Sequence, residues 1–306
     1  MTPSSTSRRT ILVTGSEGLI GTALVRTLSD AGFDARGFDL RARGDAHGDI
    51  LDLDALSRRI EGCAGVVHLA AVSRVIDGER NADLCWRTNV EGTRHVLDAA
   101  LRHGRPWVVY GSSREVYGQP PSLPAGEDTP IVPVNVYGRS KVEAERLVAR
   151  ADLPSAMLRF SNVYGVTADH LDRVVPAFAR QAVEGLPLRV DGADHTFDFT
   201  HLSDTVRGIM AVVASLEAGR ALPPIHLLTG VPTTLGELAA LAVELAESSS
   251  LIREAPPRSY DVSSFYGDPS RAEALLDWRA EVPLRVGLAR LIADFRARAA
   301  APAVQP

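Results

Sequence analysis

The run Thr14-Gly15-Ser16-Glu17-Gly18-Leu19-Ile20-Gly21, set between a short apolar stretch at 11–14 and an amphipathic one, constrains the fold most. Gly15 permits a tight turn, Gly18 lets backbone N–H groups approach a pyrophosphate, and Gly21 lets a helix pack closely on the preceding strand. The exposed amides and the positive end of that helix then face the phosphates. Leu19, Ile20, Ala23, Leu24, Thr27 and Leu28 follow at the helical repeat. Asp39 ends the next short segment that reads as a strand, near the position about 20 residues on where a ribose-binding acid is expected. Its carboxylate accepts from a 2′-hydroxyl and repels a 2′-phosphate, which predicts NAD rather than NADP. Arg41 and Arg43 are the residues that would reach a phosphate instead.

Short segments at 35–39, 65–69, 106–110 and 157–160 read as strands, separated by helical stretches near 52–61, 81–103 and 135–150. Strands alternating with helices of that length predict βαβ units, hence a Rossmann-like, doubly wound parallel α/β sheet. Beyond about residue 165 segments shorten and prolines multiply, with helical runs near 171–184 and 235–247. The expected organisation is a NAD-binding domain over 1–164 to which 199–216 returns, a smaller substrate-binding domain over 165–298, and a tail at 299–306.

The net charge of −5, from 33 Lys+Arg against 38 Asp+Glu, excludes a global basic field for nucleic acid. No stretch approaches the roughly 18 consecutive apolar residues of a membrane span. Residues 1–10 lack the apolar run of a secretory signal. Cys63 and Cys85 lie in unrelated segments and form neither a disulfide framework nor a metal pattern, so a cytoplasmic protein without metal is expected. His195 and His201 bracket Asp198 without ligand-like spacing and read as structural.

Tyr137-Gly138-Arg139-Ser140-Lys141 opens a helical stretch behind Pro133 and Asn135, and the i, i+4 spacing puts tyrosine and lysine on one face. A tyrosine near pKa 10 is a poor base until an adjacent ammonium stabilises its phenolate. Ser112-Ser113-Arg114-Glu115 follows a strand end, where open α/β sheets bind their ligands, and offers a hydroxyl for a substrate oxygen.

TGSEGLIG at 14–21, GDILD at 48–52, HLAA at 68–71, NVEGT at 89–93 and SSREVYG at 112–118 occur in order. YGRSK at 137–141, LRFSNVYG at 158–165, DFTHLSD at 198–204, RSYDV at 258–262 and GDPSRA at 267–272 continue the series. Over about residues 10–290 the chain thus resembles the extended short-chain dehydrogenase/reductase family, in its nucleotide-sugar epimerase/dehydratase branch. The resemblance implies a homodimer that holds NAD with the glycine turn and Asp39, Asp49 and Ile50 at the adenine, Leu69, Ala70 and Ala71 along the cofactor, and Asn89 supporting the sheet edge. It implies Ser113 as the catalytic hydroxyl, Tyr137 as the base, and Lys141 as its partner and a ribose ligand. Glu115 is a candidate acid/base, while Ser73, Asn162 and Arg258 are expected to meet the substrate. At Phe197 the family usually carries a diphosphate-binding arginine, whose paired donors a phenyl ring cannot supply. Either Arg258 suffices, or Arg173 or Arg180 compensates, or the substrate has no diphosphate.

A nucleotide-sugar 4-epimerase is the favoured reading. A dehydratase needs an Asp-Glu pair after the Ser/Thr, and here that pair is Arg114-Glu115. A decarboxylase keeps a Ser/Thr-x-Glu arrangement like Ser113-Arg114-Glu115 but a different tyrosine segment. A NAD(P)-dependent sugar or polyol dehydrogenase shares the whole trio. A NAD-sensing module without chemistry predicts loss of the tyrosine or the lysine, and both are present.

Overall fold

The computed structural model describes residues 9–258 and 262–300. β1 (Thr10–Thr14), α1 (Leu19–Asp30), β2 (Asp34–Phe38), α2 (Leu53–Ile60) and β3 (Gly65–His68) come first. α3 (Val75–Arg80), α4 (Ala82–Trp86), a π-helical turn (Arg87–Glu91) and α5 (Gly92–Arg102) lead to β4 (Trp107–Ser113). α6 (Val136–Arg150), β5 (Ser155–Phe160), β6 (Asn162–Tyr164), α7 (Val174–Glu184), β7 (Leu188–Asp191), β8 (Thr196–Phe197), β9 (Phe199–His201) and α8 (Leu202–Glu217) follow. β10 (Ile225–Leu227), β11 (Thr233–Thr234), α9 (Leu235–Leu245), β12 (Ile252–Ala255), β13 (Ser264–Phe265), α10 (Ser270–Leu276) and α11 (Leu284–Ala300) complete the described chain. Of the expected tail, residues 301–306 lie outside the described residues, as do 1–8.

Six strands form the main sheet in the order β10-β5-β4-β3-β1-β2, a doubly wound arrangement. β1 pairs in parallel with β2 and β3, and β3 with β4, with Thr14 opposite His68 and His68 opposite Tyr110. The chain leaves β1 toward β2 and then crosses to β3 on the other side. That reversal opens a crevice at the carboxyl ends of β1 and β3, the usual ligand position in such sheets. The central strands β1 and β3 are buried apolar runs because helices cover both faces, whereas the edge strand β2 (DARGF) buries only Phe38. Leu12, Val66 and Val108 meet Leu56, Ile60, Val96, Leu97 and Val148 in one buried cluster. β4 is buried along its whole length and reaches Ser113, so Ser112 and Ser113 end the strand rather than belonging to the loop that follows.

The chain forms two compact units. The first holds the residues up to Val116, Asn135–Arg159 and Gly208–Ile225. The second holds Tyr117–Val134, Phe160–Arg207 and the residues from His226 onward. The sequence pattern, by comparison, places one break near 164 and a return over 199–216. The 117–134 stretch groups with the second unit because Tyr117 Oη pairs with His226 Nε2 at 2.6 Å and Ala125 bridges to the chain at Gly267. In that unit α7, α9 and α11 pack on one another beside three small sheets. Asp198 joins its parts. Its carboxylate accepts from Thr229 N and Oγ1, Gly230 N and Thr200 Oγ1, while burial pushes its pKa up to about 6.

Candidate functional site

At the end of β1, Gly15 adopts φ +71°, and a Cβ there would lie 2.7 Å from Ala70 N. A Cβ on Gly21 would collide with the Gly15 carbonyl oxygen. Gly18 is the N-cap of α1 and has no side chain to bond the first-turn amides, which leaves them for an anion. Leu69 N donates to Thr14 O at 3.1 Å and Ala70 N to Thr14 Oγ1 at 3.3 Å, so the half-buried 69–71 segment lies along the turn. Asp39 Oδ2 accepts from Glu17 N at 3.0 Å, and Oδ1 from Arg41 N at 2.8 Å. The Arg41 guanidinium stands 3.5 Å from the same carboxylate, so one of the two arginines expected to serve a 2′-phosphate is paired with the acid instead. Asp49 Oδ1 accepts from Leu51 N, and buried Ile50 packs against Gly92. These backbone cradles and the carboxylate fit a dinucleotide with a free ribose 2′-hydroxyl.

Asn89 sits in the π-helical turn with its side chain fully engaged. Oδ1 accepts from Val72 N at 2.8 Å, while Nδ2 donates to Val72 O at 3.1 Å and Ser140 Oγ at 2.9 Å. It therefore fixes the backbone after β3 against α6. Buried His68 links Thr14 Oγ1 at 2.7 Å to Thr93 Oγ1 at 3.0 Å, and burial pushes its pKa down to about 3. It is a neutral crosslink, a role its place in the HLAA motif does not reveal.

Ser112 Oγ donates to Glu145 Oε1 at 2.6 Å, and Arg159 grips that carboxylate at 2.9 and 2.7 Å. Ser112 thus belongs to a buried ion pair, whereas Ser113 Oγ accepts from Glu115 N at 3.2 Å within its own turn. α6 begins beside this turn. Its N-cap, Asn135, accepts from Gly138 N at 2.7 Å, and Glu79 accepts from Val136 N at 2.8 Å. Tyr137 and Lys141, 7% and 4% exposed, face back toward β4. Lys141 Nζ donates to Gly111 O at 2.7 Å and stands 4.9 Å from the Tyr110 ring centre and 5.8 Å from that of Tyr137. Burial pushes the lysine down to about 8. Glu115 is held at both oxygens, 2.9 Å from Arg114 Nη2 and 2.8 Å from Asn135 Nδ2. Ser113 at the end of β4, Glu115 in the 3-10 turn Arg114–Val116, and Tyr137 and Lys141 in α6 are thus held by direct hydrogen bonds between their elements. The asparagine two residues before the tyrosine carries the N-cap signature, but its bond to Glu115 and the cap from Glu79 have no sequence signal.

In the second unit, Asn162 N and Nδ2 both donate to Asp198 O, at 3.2 and 3.3 Å. Phe197 lies buried in β8 between β11 and β13, its ring edge-on to His195 at 6.3 Å. Arg258 is exposed, and Ser73, in the first unit, is exposed as well. Arg173 pairs with Asp169 at 3.6 Å and Arg180 with Glu184 at 2.7 Å. Ser259, Tyr260 and Asp261 of the RSYDV motif lie outside the described residues. Among the described residues no group of His, Cys, Asp and Glu could hold a metal ion, and no helix is long and apolar enough to cross a membrane.

The profile of the NAD-dependent epimerase/dehydratase family matches residues 11–225. A dTDP-glucose 4,6-dehydratase of Streptomyces griseus is 33% identical over 93% of both chains. A UDP-glucose 4-epimerase of Mycolicibacterium smegmatis is 30% identical over 93% of this chain and 98% of its own. Among solved structures, MoeE5 in complex with UDP-glucose and NAD superposes with a TM-score of 0.87 at 30% identity, over 95% of this chain and 99% of its own. With its family profile matched over 11–225 and relatives at 30–33% identity along nearly the whole chain, this chain belongs to the NAD-dependent epimerase/dehydratase family.

Proposed function

We propose that the protein inverts the C4 hydroxyl of a nucleotide sugar through a 4-keto intermediate. The observation that carries this reading is the Arg114–Glu115–Asn135 arrangement. Arg114 stands where a dehydratase of the family needs an aspartic acid, and the Glu115 carboxylate is bound at both oxygens. Epimerisation needs only the hydroxyl, the tyrosine and the lysine. NAD, when bound, supplies the acceptor and donor of the C4 hydrogen. Tyr137 takes the C4 hydroxyl proton as phenolate and returns it. The Lys141 ammonium stabilises that phenolate, and Ser113 hydrogen-bonds the same oxygen and orients it. The cofactor contacts are the glycine turn, Asp39, Asp49 and the 69–71 backbone. Asn162 and Arg258 are the assigned contacts to the substrate phosphates, and a cytoplasmic homodimer is part of the proposal.

Glu115 favours one competing reading, dehydration, since an acid two residues after the serine is part of that chemistry. Incubation with UDP-glucose, dTDP-glucose and a UDP-uronic acid in turn, followed by mass spectrometry, separates the possibilities. A product of unchanged mass that chromatographs as the C4 isomer is the expected result. A product lighter by one water would make the protein a dehydratase. One lighter by carbon dioxide from a UDP-uronic acid would make it a decarboxylase. Accumulated NADH would make it a dehydrogenase.

A further inference from the structure

We infer that Asn135 is a positioning residue, which locks the Glu115 carboxylate to the first turn of α6 and thereby fixes Tyr137 relative to Ser113. The inference rests on the proton-transfer role proposed for Tyr137. Asn135 is 1% exposed, and its amide makes one bond at each end. Oδ1 accepts from Gly138 N at 2.7 Å, and Nδ2 donates to Glu115 Oε2 at 2.8 Å. The partners fix the amide orientation, because a flipped amide would set donor against donor and oxygen against carboxylate.

Capping alone does not require this residue. Serine, threonine or aspartate accepts an N–H at an N-cap equally well. None of them also donates to a carboxylate while doing so: aspartate would add a like charge, and the hydroxyls are too short to do both. The donor half of the amide is therefore what the site uses. The bond continues on the other side, where Glu115 N donates to Ser113 Oγ at 3.2 Å and Arg114 fixes the remaining carboxylate oxygen at 2.9 Å. Ser113, Glu115, Asn135 and the first turn of α6 form one hydrogen-bonded chain. A second tie, Lys141 Nζ to Gly111 O at 2.7 Å, joins the same strand end to α6 one turn later. The two ties flank Tyr137, so the tyrosine has little freedom to move against β4. Glu115 acts in this arrangement through Asn135.

The test exchanges donor and acceptor. Asn135→Ser keeps a cap acceptor and removes the donor. Glu115→Gln sets an amide against an amide. The double variant Asn135→Asp/Glu115→Gln restores the bond in reverse. Its new glutamine amide donates to the new aspartate carboxylate and still accepts from Arg114, and the total charge is unchanged. Two readouts are taken on the full-length protein. The first is kcat and KM with UDP-glucose. The second is the tyrosinate absorbance titration of Tyr137, obtained as the difference from the matching Tyr137→Phe protein, which needs no substrate.

Each single change is expected to lower kcat about 10- to 100-fold, the scale of a small misplacement of a reacting group, with KM unchanged. The Tyr137 titration should move in both, and the double variant should recover both readouts. An Asn135→Ser protein with wild-type kcat and titration would reduce Asn135 to a cap and overturn the inference. Failure of the double variant to recover the titration would overturn it as well. Recovery of the titration without kcat would make Glu115 an acid/base in its own right, which also overturns the assignment. If wild type turns over neither UDP- nor dTDP-glucose, the proposed function fails at that point, and the titration alone still decides the role of Asn135.

Discussion

Lys141 is asked to be both charged and buried, and the two demands conflict. Burial pushes its pKa from 10.5 to about 8, which corresponds to about 3 kcal/mol of penalty on the ammonium at neutral pH. A buried carbonyl partner, Gly111 O, offsets part of this, since a hydrogen bond contributes about 1 kcal/mol net. Lys141→Met should therefore raise the thermal midpoint at pH 7, by on the order of 1–2 kcal/mol of stability, while turnover collapses. The sign with pH follows from linkage. The folded pKa is the lower one, so the penalty is full below about pH 8 and disappears as pH rises from about 8 through 10.5. The advantage of the Met variant should shrink over that window in parallel melting curves. An advantage constant from pH 7 to 10.5 would mean that the lysine is not the strained group. Tyr137→Phe removes the proposed base with the ring retained, and turnover should fall about 10²–10⁴-fold. Steady-state kinetics on that variant checks it, and a wild-type kcat would remove Tyr137 from the chemistry.

At the scale of elements, the strands β1 and β3 to β5 and the helices α1, α2, α6, α7 and α9 are legible because each carries an apolar or periodic stretch between turn residues, while β2 (DARGF) has no such run. β10 is three residues long, too short for any pattern to separate from a loop, yet it is the sixth strand of the sheet. The 81–103 stretch reads as one helix, and the structure divides it at the π-helical turn that seats Asn89. α11, the longest described helix, has no counterpart among the expected elements, because the charged residues between its buried Leu288, Leu291, Ile292 and Phe295 dilute the stripe. In the candidate site, residue types at motif positions are readable, while partners across elements are not. Glu79 to Val136 N and Arg159 to Glu145 join positions that sequence spacing does not relate. Gly21 shows the link running from residue to element. A methyl there meets the Gly15 carbonyl, a backbone atom that moves only if the whole turn moves. Gly21→Ala should weaken NAD binding about tenfold or more and lower the thermal midpoint, since overpacking of this kind costs about 1–3 kcal/mol. Calorimetric titration with NAD checks it, and unchanged affinity would separate the turn from cofactor binding.

For the whole molecule, the decisive quantity is charge. The chain carries −5, and NAD and a nucleotide sugar are both anions, so no long-range field draws them in. Each phosphate group needs local donors. For the cofactor pyrophosphate the proposed donors are the amides at the start of α1, which carry no formal charge and no side-chain cap. For the substrate diphosphate the expected arginine is replaced by Phe197, a buried ring in β8. Arg173 pairs with Asp169 and Arg180 with Glu184, and the proposal gives the substrate phosphates to Arg258, which is exposed. If that cation carries the substrate phosphates, Arg258→Ala should weaken UDP binding by about 1.5–3 kcal/mol, the usual worth of hydrogen bonds to a charged group. NAD affinity should stay the same in the variant, because its phosphates rely on amides elsewhere. The wild-type UDP affinity should also fall steeply with added salt, as a contact made by one exposed cation does, and the variant should lose that slope. Calorimetric titration of UDP at two salt concentrations reads both effects. Unchanged UDP affinity in Arg258→Ala would remove Arg258 as the anchor, and a wild type that binds no UDP would point to a substrate without a diphosphate.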